Sequence, residues 1–210
     1  MPFVQYLELP PLPDHLISQV YQLIDDFTPP EGIPIEINGS TVILDLDPNT
    51  PEDDPNDLGI QVNNIEKVKA SLGLPSSKHK TVSTPHIIAV NDAIDQWLRE
   101  NVCPEMMYAK ILVMENGNTF VPHVDKIRKA AYNFVIESGG IAKTSRWKPK
   151  LEFEGMKATP YSYVPYERID LVEAVQIQSR RWHQLDVMEI HSVEELDPKK
   201  RRIVLTIFVI

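Results

Sequence analysis

A chain of 210 residues with a hydrophobic share of 42% is long enough to bury one core. Its formal charge of −9 argues against a protein held mainly by nucleic-acid phosphates or by an anionic membrane. Cys103, the one cysteine, excludes an internal disulfide framework and a cysteine-based zinc knuckle. With no basic-then-apolar leader and no apolar run of membrane length, the expectation is a cytoplasmic protein with no membrane partner.

The first 104 residues read as support for the C-terminal half of the chain. Leu9-Pro10-Pro11-Leu12-Pro13 is a stiff, extended arm that packs on the domain. Asp14 is placed to cap a helix whose apolar face is Leu16, Ile17, Val20, Leu23 and Ile24, with Pro29-Pro30 ending it. Residues 41–44 read as a short strand. Asp45-Leu46-Asp47-Pro48-Asn49 imitates the start of a calcium-binding loop, but Thr50 replaces the required glycine and Asn56 the required glutamate, which leaves a solvated loop. Ser83-Thr84-Pro85 signals a helix start, and Ile87, Val90, Ile94, Trp97 and Leu98 recur at helical spacing, with Trp97 in the core and His86 on the surface.

From Met106 the pattern changes to strands. These are residues 108–114, 120–125 after the Asn116-Gly117 turn, and 131–136 before the break at Ser138-Gly139-Gly140. A pair follows around Glu154-Gly155, residues 151–153 and then through 158, and after it come 171–178, 182–187 and 203–210. Short strands with few helices, all upstream, specify an α+β composition, mainly β, with a sandwich or barrel core. Residues 105–210 form that core and 1–104 pack on it, in one compact domain.

Within the core, His123 and Asp125 are two apart on a strand, so both side chains point to one face while Val124 faces away. His191 can add a second imidazole. Two histidines and a carboxylate on one face of a metal, with other positions open, is the donor set of non-heme Fe(II) oxygenases. Arg202 follows His191 by eleven positions and opens an apolar strand. It shares a face with Val204 and Thr206, whereas Arg201 would share one with Ile203, Leu205 and Ile207, so strand parity favours Arg202 as the inward cation. A guanidinium there can make a two-pronged pair with a small dicarboxylate. Lys199, Lys200 and Arg201 read as a solvated basic turn. His183 stands nineteen positions before Arg202, too far to replace His191 in this spacing, and Trp182-His183 borders the pocket or packs at a strand end.

In order and spacing, His123-Val124-Asp125, His191 and Arg202 resemble the 2-oxoglutarate and Fe(II)-dependent dioxygenase superfamily. The resemblance is best to its small prolyl- or aspartyl/asparaginyl-hydroxylase-like members, a kind common in phage genomes. It covers residues 106–210 and the helix at 84–101. It implies a double-stranded β-helix, or jelly roll, with the metal between two sheets. It also implies His123, Asp125 and His191 as the catalytic Fe(II) ligands, Arg202 on the distal carboxylate of 2-oxoglutarate, and ascorbate as a reductant. Arg128 and Asn133 match positions that touch co-substrate or substrate, and Trp182 stands at the substrate side. Prolyl hydroxylases often carry a tyrosine three positions before the first histidine. This chain has Phe120 there, with Tyr108 as a loose substitute, and the hydroxyl of an Arg-x-Ser pair is lost unless Thr206 replaces it. Ser145-Arg146-Trp147 and Tyr161-Ser162-Tyr163 are loop segments that either face substrate or are ordinary loop aromatics. The activity implied is hydroxylation of a peptide side chain or small molecule, with succinate and CO2 released; a nucleic-acid demethylase is a variant of the same reading, which the charge of −9 disfavours. Two alternatives remain: a cupin-type metal protein without 2-oxoglutarate chemistry, and a non-catalytic jelly-roll binding protein.

Overall fold

The structure is a computed structural model that describes residues 2–27, 33–37, 40–44, 57–61, 86–115, 120–125, 131–158 and 162–209, with 33–37, 40–44, 60–61 and 162–163 described as backbone only. The calcium-loop imitation, Pro29-Pro30, the Ser83–Pro85 signal, Asn116-Gly117, Arg128 and Tyr161 lie outside the described residues.

The elements in order are β1 (Val4–Tyr6), α1 (Asp14–Asp25), β2 (Ile33–Ile37), β3 (Ser40–Leu44), β4 (Ile60–Gln61), β5 (His86–Ala89), α2 (Asp92–Asn101), β6 (Tyr108–Met114), β7 (Phe120–His123), β8 (Ala131–Ser138), β9 (Lys143–Pro149), β10 (Ser162–Tyr163), β11 (Ile169–Val175), β12 (Trp182–Leu185), β13 (Ile190–Glu194) and β14 (Arg202–Phe208). A six-stranded sheet runs β1-β12-β8-β14-β6-β5 and a four-stranded sheet runs β11-β9-β13-β7; β4 and β10 form one small pair and β2 and β3 another. Every ladder among the described strands is antiparallel. The fold is a β-rich, jelly-roll-like core with two helices among the described residues, as expected. No helix of the described residues is long and apolar enough to cross a membrane.

Alternation along β14 sets the layers. Ile203, Leu205 and Ile207 face outward and bury against Leu12, Leu16, Ile17, Val20, Ile94 and Leu98 of the N-terminal arm and helices. Each such side chain contributes roughly 1.5–3 kcal/mol by leaving water. Arg202, Val204 and Thr206 face the other way, toward the small sheet. Strands β1 and β5 come from the first 104 residues and are the outer strands of the large sheet, so arm, helices and strands share one core. The arm is held where the Leu7 amide donates to the Trp182 carbonyl at 3.0 Å and Trp182 Nε1 donates to the Pro10 carbonyl at 2.8 Å.

Three local expectations are corrected. The helix expected from residue 84 is strand β5 as far as Ala89 and helix only from Asp92. Asn91 caps it, accepting from the Ile94 amide at 3.0 Å, while Ile87-Ile88, both β-branched, complete the open edge of β6. Asp14 is not the cap of α1; Pro13 holds that position, and Asp14 lies in the first turn and pairs with Arg180 at 3.0 Å. Ser145-Arg146-Trp147 is not a loop but the middle of β9, whereas 151–153, expected as a strand, is a single 3₁₀ turn.

Candidate metal centre

The small sheet carries the metal-type side chains. His123 ends β7 and is paired in register with His191 of β13. A bulge between His191 and Val193 lets both Phe120 and His123 face the interior, and the Phe120 ring packs on the His123 ring at a centroid distance of 4.1 Å. Pro122 lacks an N–H and so sits where the ladder does not need one, its carbonyl accepting from Val164 at 2.8 Å. Val124 packs on the outer side with Leu58, Val164, Ile169 and Ile190, which turns Asp125 back to the His123 side. The Asp125 amide donates to the Val187 carbonyl at 3.0 Å, tying the carboxylate-bearing residue to the end of the large sheet.

His123, Asp125 and His191 each offer one ligand atom, all within 4.8 Å of one another. His123 Nε2 stands 3.6 Å from Asp125 Oδ1, and the two imidazole centroids are 4.3 Å apart. Neighbouring ligands around a six-coordinate ion with bonds of about 2.1 Å are roughly 3 Å apart, so the cluster needs only a small contraction to take one. The two histidines are oriented alike. His123 Nδ1 meets the Val121 carbonyl at 2.7 Å, and His191 Nδ1 meets the Glu189 carbonyl at 2.9 Å. A carbonyl only accepts, so each ring carries its proton on Nδ1 and its lone pair on Nε2, the form a metal requires. Two imidazole Nε2 donors and one carboxylate fit Fe(II).

Arg202 lies at the other end of the interior. It is 4% exposed and donates from Nη1 to the Ser138 carbonyl at 3.3 Å and from Nη2 to Thr144 Oγ1 at 3.2 Å. Burial lowers its pKa to about 10, so it stays charged at neutral pH. Among the described residues no carboxylate lies within ion-pair distance of it. Arg201 points outward instead, paired with Glu137 at 3.2 Å and over the Tyr21 ring. Gly139, at φ +76°, lets the chain pass close to Arg202; a Cβ there would overlap Leu196 Cδ1 and come 3.1 Å from Arg202 Cβ.

Register fixes the relative depth of the two ends. Thr144, which touches Arg202, pairs with Val193, and Arg146 pairs with His191 two residues nearer the metal side, a rise of about 6–7 Å. Arg146 lies over the Phe3 ring at 5.8 Å, and Phe3 packs with Ala131, Leu185 and Val187 at the same side. On the large sheet, the inward row level with Arg202 includes Met114, the next holds Leu112, Val204 and Val135, and the third holds Lys110, Thr206, Asn133 and His183. From Arg202 toward the metal, the interior is therefore cationic, then apolar, then polar.

The remaining sequence candidates separate. Asn133 is buried on the polar row. Trp182 is not at a pocket: it is 1% exposed on the outward face, stacks with Phe134 at 5.1 Å and belongs to the core under the helices, one residue out of phase with the interior. Tyr108 pairs with Phe208, six residues along the ladder from Arg202, about 20 Å away, and its ring stacks on Phe208 at 4.3 Å, so it cannot share a carboxylate with Arg202. Trp147 faces outward, donating to Ser192 Oγ at 2.8 Å. Sequence reasoning missed Thr144 and put Arg146 in a loop, whereas β9 turns both inward; Arg146 Nε is 3.0 Å from Glu173 Oε1, an ion pair whose N–H is not aimed at the oxygen.

No protein-family model matches this chain, and no curated protein matches it. Among solved structures, it is similar to the ribosomal oxygenase YcfD of Escherichia coli in complex with cobalt and 2-oxoglutarate, at 13% identity and a TM-score of 0.34, over 65% of this chain and 35% of that one. Two further structures of Escherichia coli YcfD align at 12% identity with TM-scores of 0.36 and 0.33, over 59% and 63% of this chain. The chain spans about a third of the length of those proteins, 33% and 36% in the latter two.

Proposed function

We propose that this chain is an Fe(II)- and 2-oxoglutarate-dependent oxygenase that hydroxylates a peptide side chain or a small molecule and releases succinate and CO2. The observation that carries the proposal is the convergence of His123, Asp125 and His191 on one point while a buried Arg202 waits deeper in the same interior. The three side chains would hold Fe(II), the donor set that supports oxygenase chemistry. Arg202 takes the far carboxylate of 2-oxoglutarate in a two-pronged pair, with Thr144 beside it. The apolar row of Leu112, Val204 and Val135 matches the two methylenes of that acid, and the polar row carrying Asn133 and Thr206 matches its oxygen-rich end. When bound, iron and 2-oxoglutarate together supply oxidative decarboxylation, one oxygen atom of O2 ending in succinate and the other in the hydroxylated product.

The chain's own residues orient and shield. The Val121 and Glu189 carbonyls hold the Nδ1 side of both ligand imidazoles and aim Nε2 at the common point. Burial around Arg202 excludes water from the carboxylate pair, while His123 and Asp125 are half-buried and open the metal side to substrate. A cytoplasmic setting, with ascorbate as reductant in vitro, keeps both Fe(II) and the free Cys103 reduced. The test is succinate formation from 2-oxoglutarate with Fe(II) and ascorbate, with a peptide pool or cell extract as substrate source. Substrate-dependent succinate that disappears in His123→Ala is expected; its absence, together with no 2-oxoglutarate binding, removes the proposal and favours a cupin-type or non-catalytic reading.

A further inference from the structure

His183 is a buried imidazole outside the metal set. It sits on β12 with 2% of its surface exposed, on the face that looks across the interior. Register places it beside Asn133 of β8, which lies beside Thr206 of β14. On its other side the Tyr6 ring meets it edge-on at 6.3 Å, with the Tyr6 hydroxyl accepting from the Gln178 amide. His183 Nδ1 is sealed from water and has no hydrogen-bond partner among the described residues. The Arg181 carbonyl, two residues back, raises the pKa of the ring only weakly and makes no hydrogen bond of the kind the Val121 and Glu189 carbonyls make with His123 and His191. Burial, and then the charge of Arg202, push the imidazole down to about 3, so the ring is neutral and one nitrogen carries a proton.

Buried polar atoms in native chains are nearly always satisfied, and an orphan points to a missing partner. Arg202 has the same shortage, a buried guanidinium without a carboxylate among the described residues. Arg202 and His183 lie on the inward face of the same sheet, with the Val135–Val204 row between them. Two underused donors on either side of an apolar row describe a ligand with an acceptor at each end and carbon between. Resting on the function proposed above, we propose that His183 is a co-substrate-binding residue, its ring N–H donating to the oxygen-rich end of 2-oxoglutarate while Arg202 grips the far carboxylate. Asn133 and Thr206 flank that end on the same row. His183 is thus a site residue rather than a satisfied core histidine, although its distance in sequence from Arg202 argues against the role of metal ligand.

The test titrates 2-oxoglutarate into the full chain loaded with Co(II) under argon, as wild type, His183→Phe and His183→Gln, with thermal unfolding as the check on folding. Nitrogen-15 NMR of the imidazoles in the Zn(II)-loaded wild type runs alongside. His183→Phe should weaken 2-oxoglutarate binding about tenfold, the value of one lost hydrogen bond, and leave Co(II) affinity unchanged. His183→Gln, which keeps a donor, should stay within about threefold of wild type, and the His183 nitrogen signals should move when 2-oxoglutarate is added. Wild-type affinity in His183→Phe with unmoved nitrogen signals assigns His183 to packing alone and overturns the inference while the function stands. Should His183→Phe fail to fold, His183→Gln and the wild-type NMR decide the matter by the same criteria. No binding of 2-oxoglutarate to wild type overturns the proposed function itself, a separate result.

Discussion

The two ends of the interior are built in opposite ways. At the metal end, His123 and Asp125 are half-buried on a four-residue strand and its exit, and each imidazole is held by a carbonyl only two residues away. At the other end Arg202 is enclosed on a seven-residue strand and held by residues 64 and 58 positions away in sequence, Ser138 and Thr144. Local contacts can orient a ligand without supporting the fold, whereas a buried charge is part of the core. The metal end should therefore lose function cheaply, and the arginine end should trade function against stability.

The largest effect is expected at the metal. His123→Ala should lower Fe(II) affinity by more than roughly 100-fold, beyond the usual loss from outer-shell changes, with folding stability altered by under about 1 kcal/mol. Anaerobic titration calorimetry and urea unfolding measure the two, and a large stability loss would erase the contrast between the ends. Next, Arg202→Met, similar in length and uncharged, should weaken 2-oxoglutarate binding by roughly 100-fold. The same change should raise the stability of the ligand-free chain by about 1 kcal/mol, because an unpaired buried charge is removed. If the variant is instead less stable, the guanidinium is already compensated and has no need of a ligand carboxylate.

Gly139→Ala should cost about 2 kcal/mol through its left-handed backbone and its overlap with Leu196, and weaken 2-oxoglutarate binding by crowding Arg202, both read in the same assays. The effect of His183 is absent at neutral pH and emerges only on acidification. Its folded pKa, about 3, lies below the ordinary 6.5, so between those values the unfolded chain binds a proton that the folded chain refuses. Stability from this group is full above pH 6.5 and is lost as pH falls toward 3, by about 1.4 kcal/mol per pH unit. In His183→Gln the dependence of urea stability on pH in that window should be shallower by this amount. An unchanged slope would mean that the imidazole is not held neutral.

These contrasts also explain which features are legible in the sequence. His123, Asp125 and Arg202 are legible because strand parity alone decides which way they point, and β6, β8 and β14 because one face of each is strongly apolar. β9 is hidden because both of its faces carry polar groups, Thr144 and Arg146 inward, Ser145 and Trp147 outward, which leaves no alternation to detect. The start of α2 is misplaced because Ile87 to Leu98 satisfies helical spacing, while the open edge of β6 captures residues 86–89 as a strand. Trp182 and Tyr108 mislead for a shared reason. Nearness in sequence to a site says nothing of which face a strand residue takes or how far along a ladder it stands. His183 is set aside by its spacing to Arg202, yet the pairing of β12 with β8 brings it to the interior.

The central claim is that one iron-type centre and one arginine share a single 2-oxoglutarate. Equilibrium dialysis of 2-oxoglutarate against the full chain, with and without Mn(II), tests it most directly. The expected result is one molecule bound per chain, tight only with the metal present, and lost in both His123→Ala and Arg202→Met. Binding that is equally tight without metal, or no binding in either condition, would contradict it.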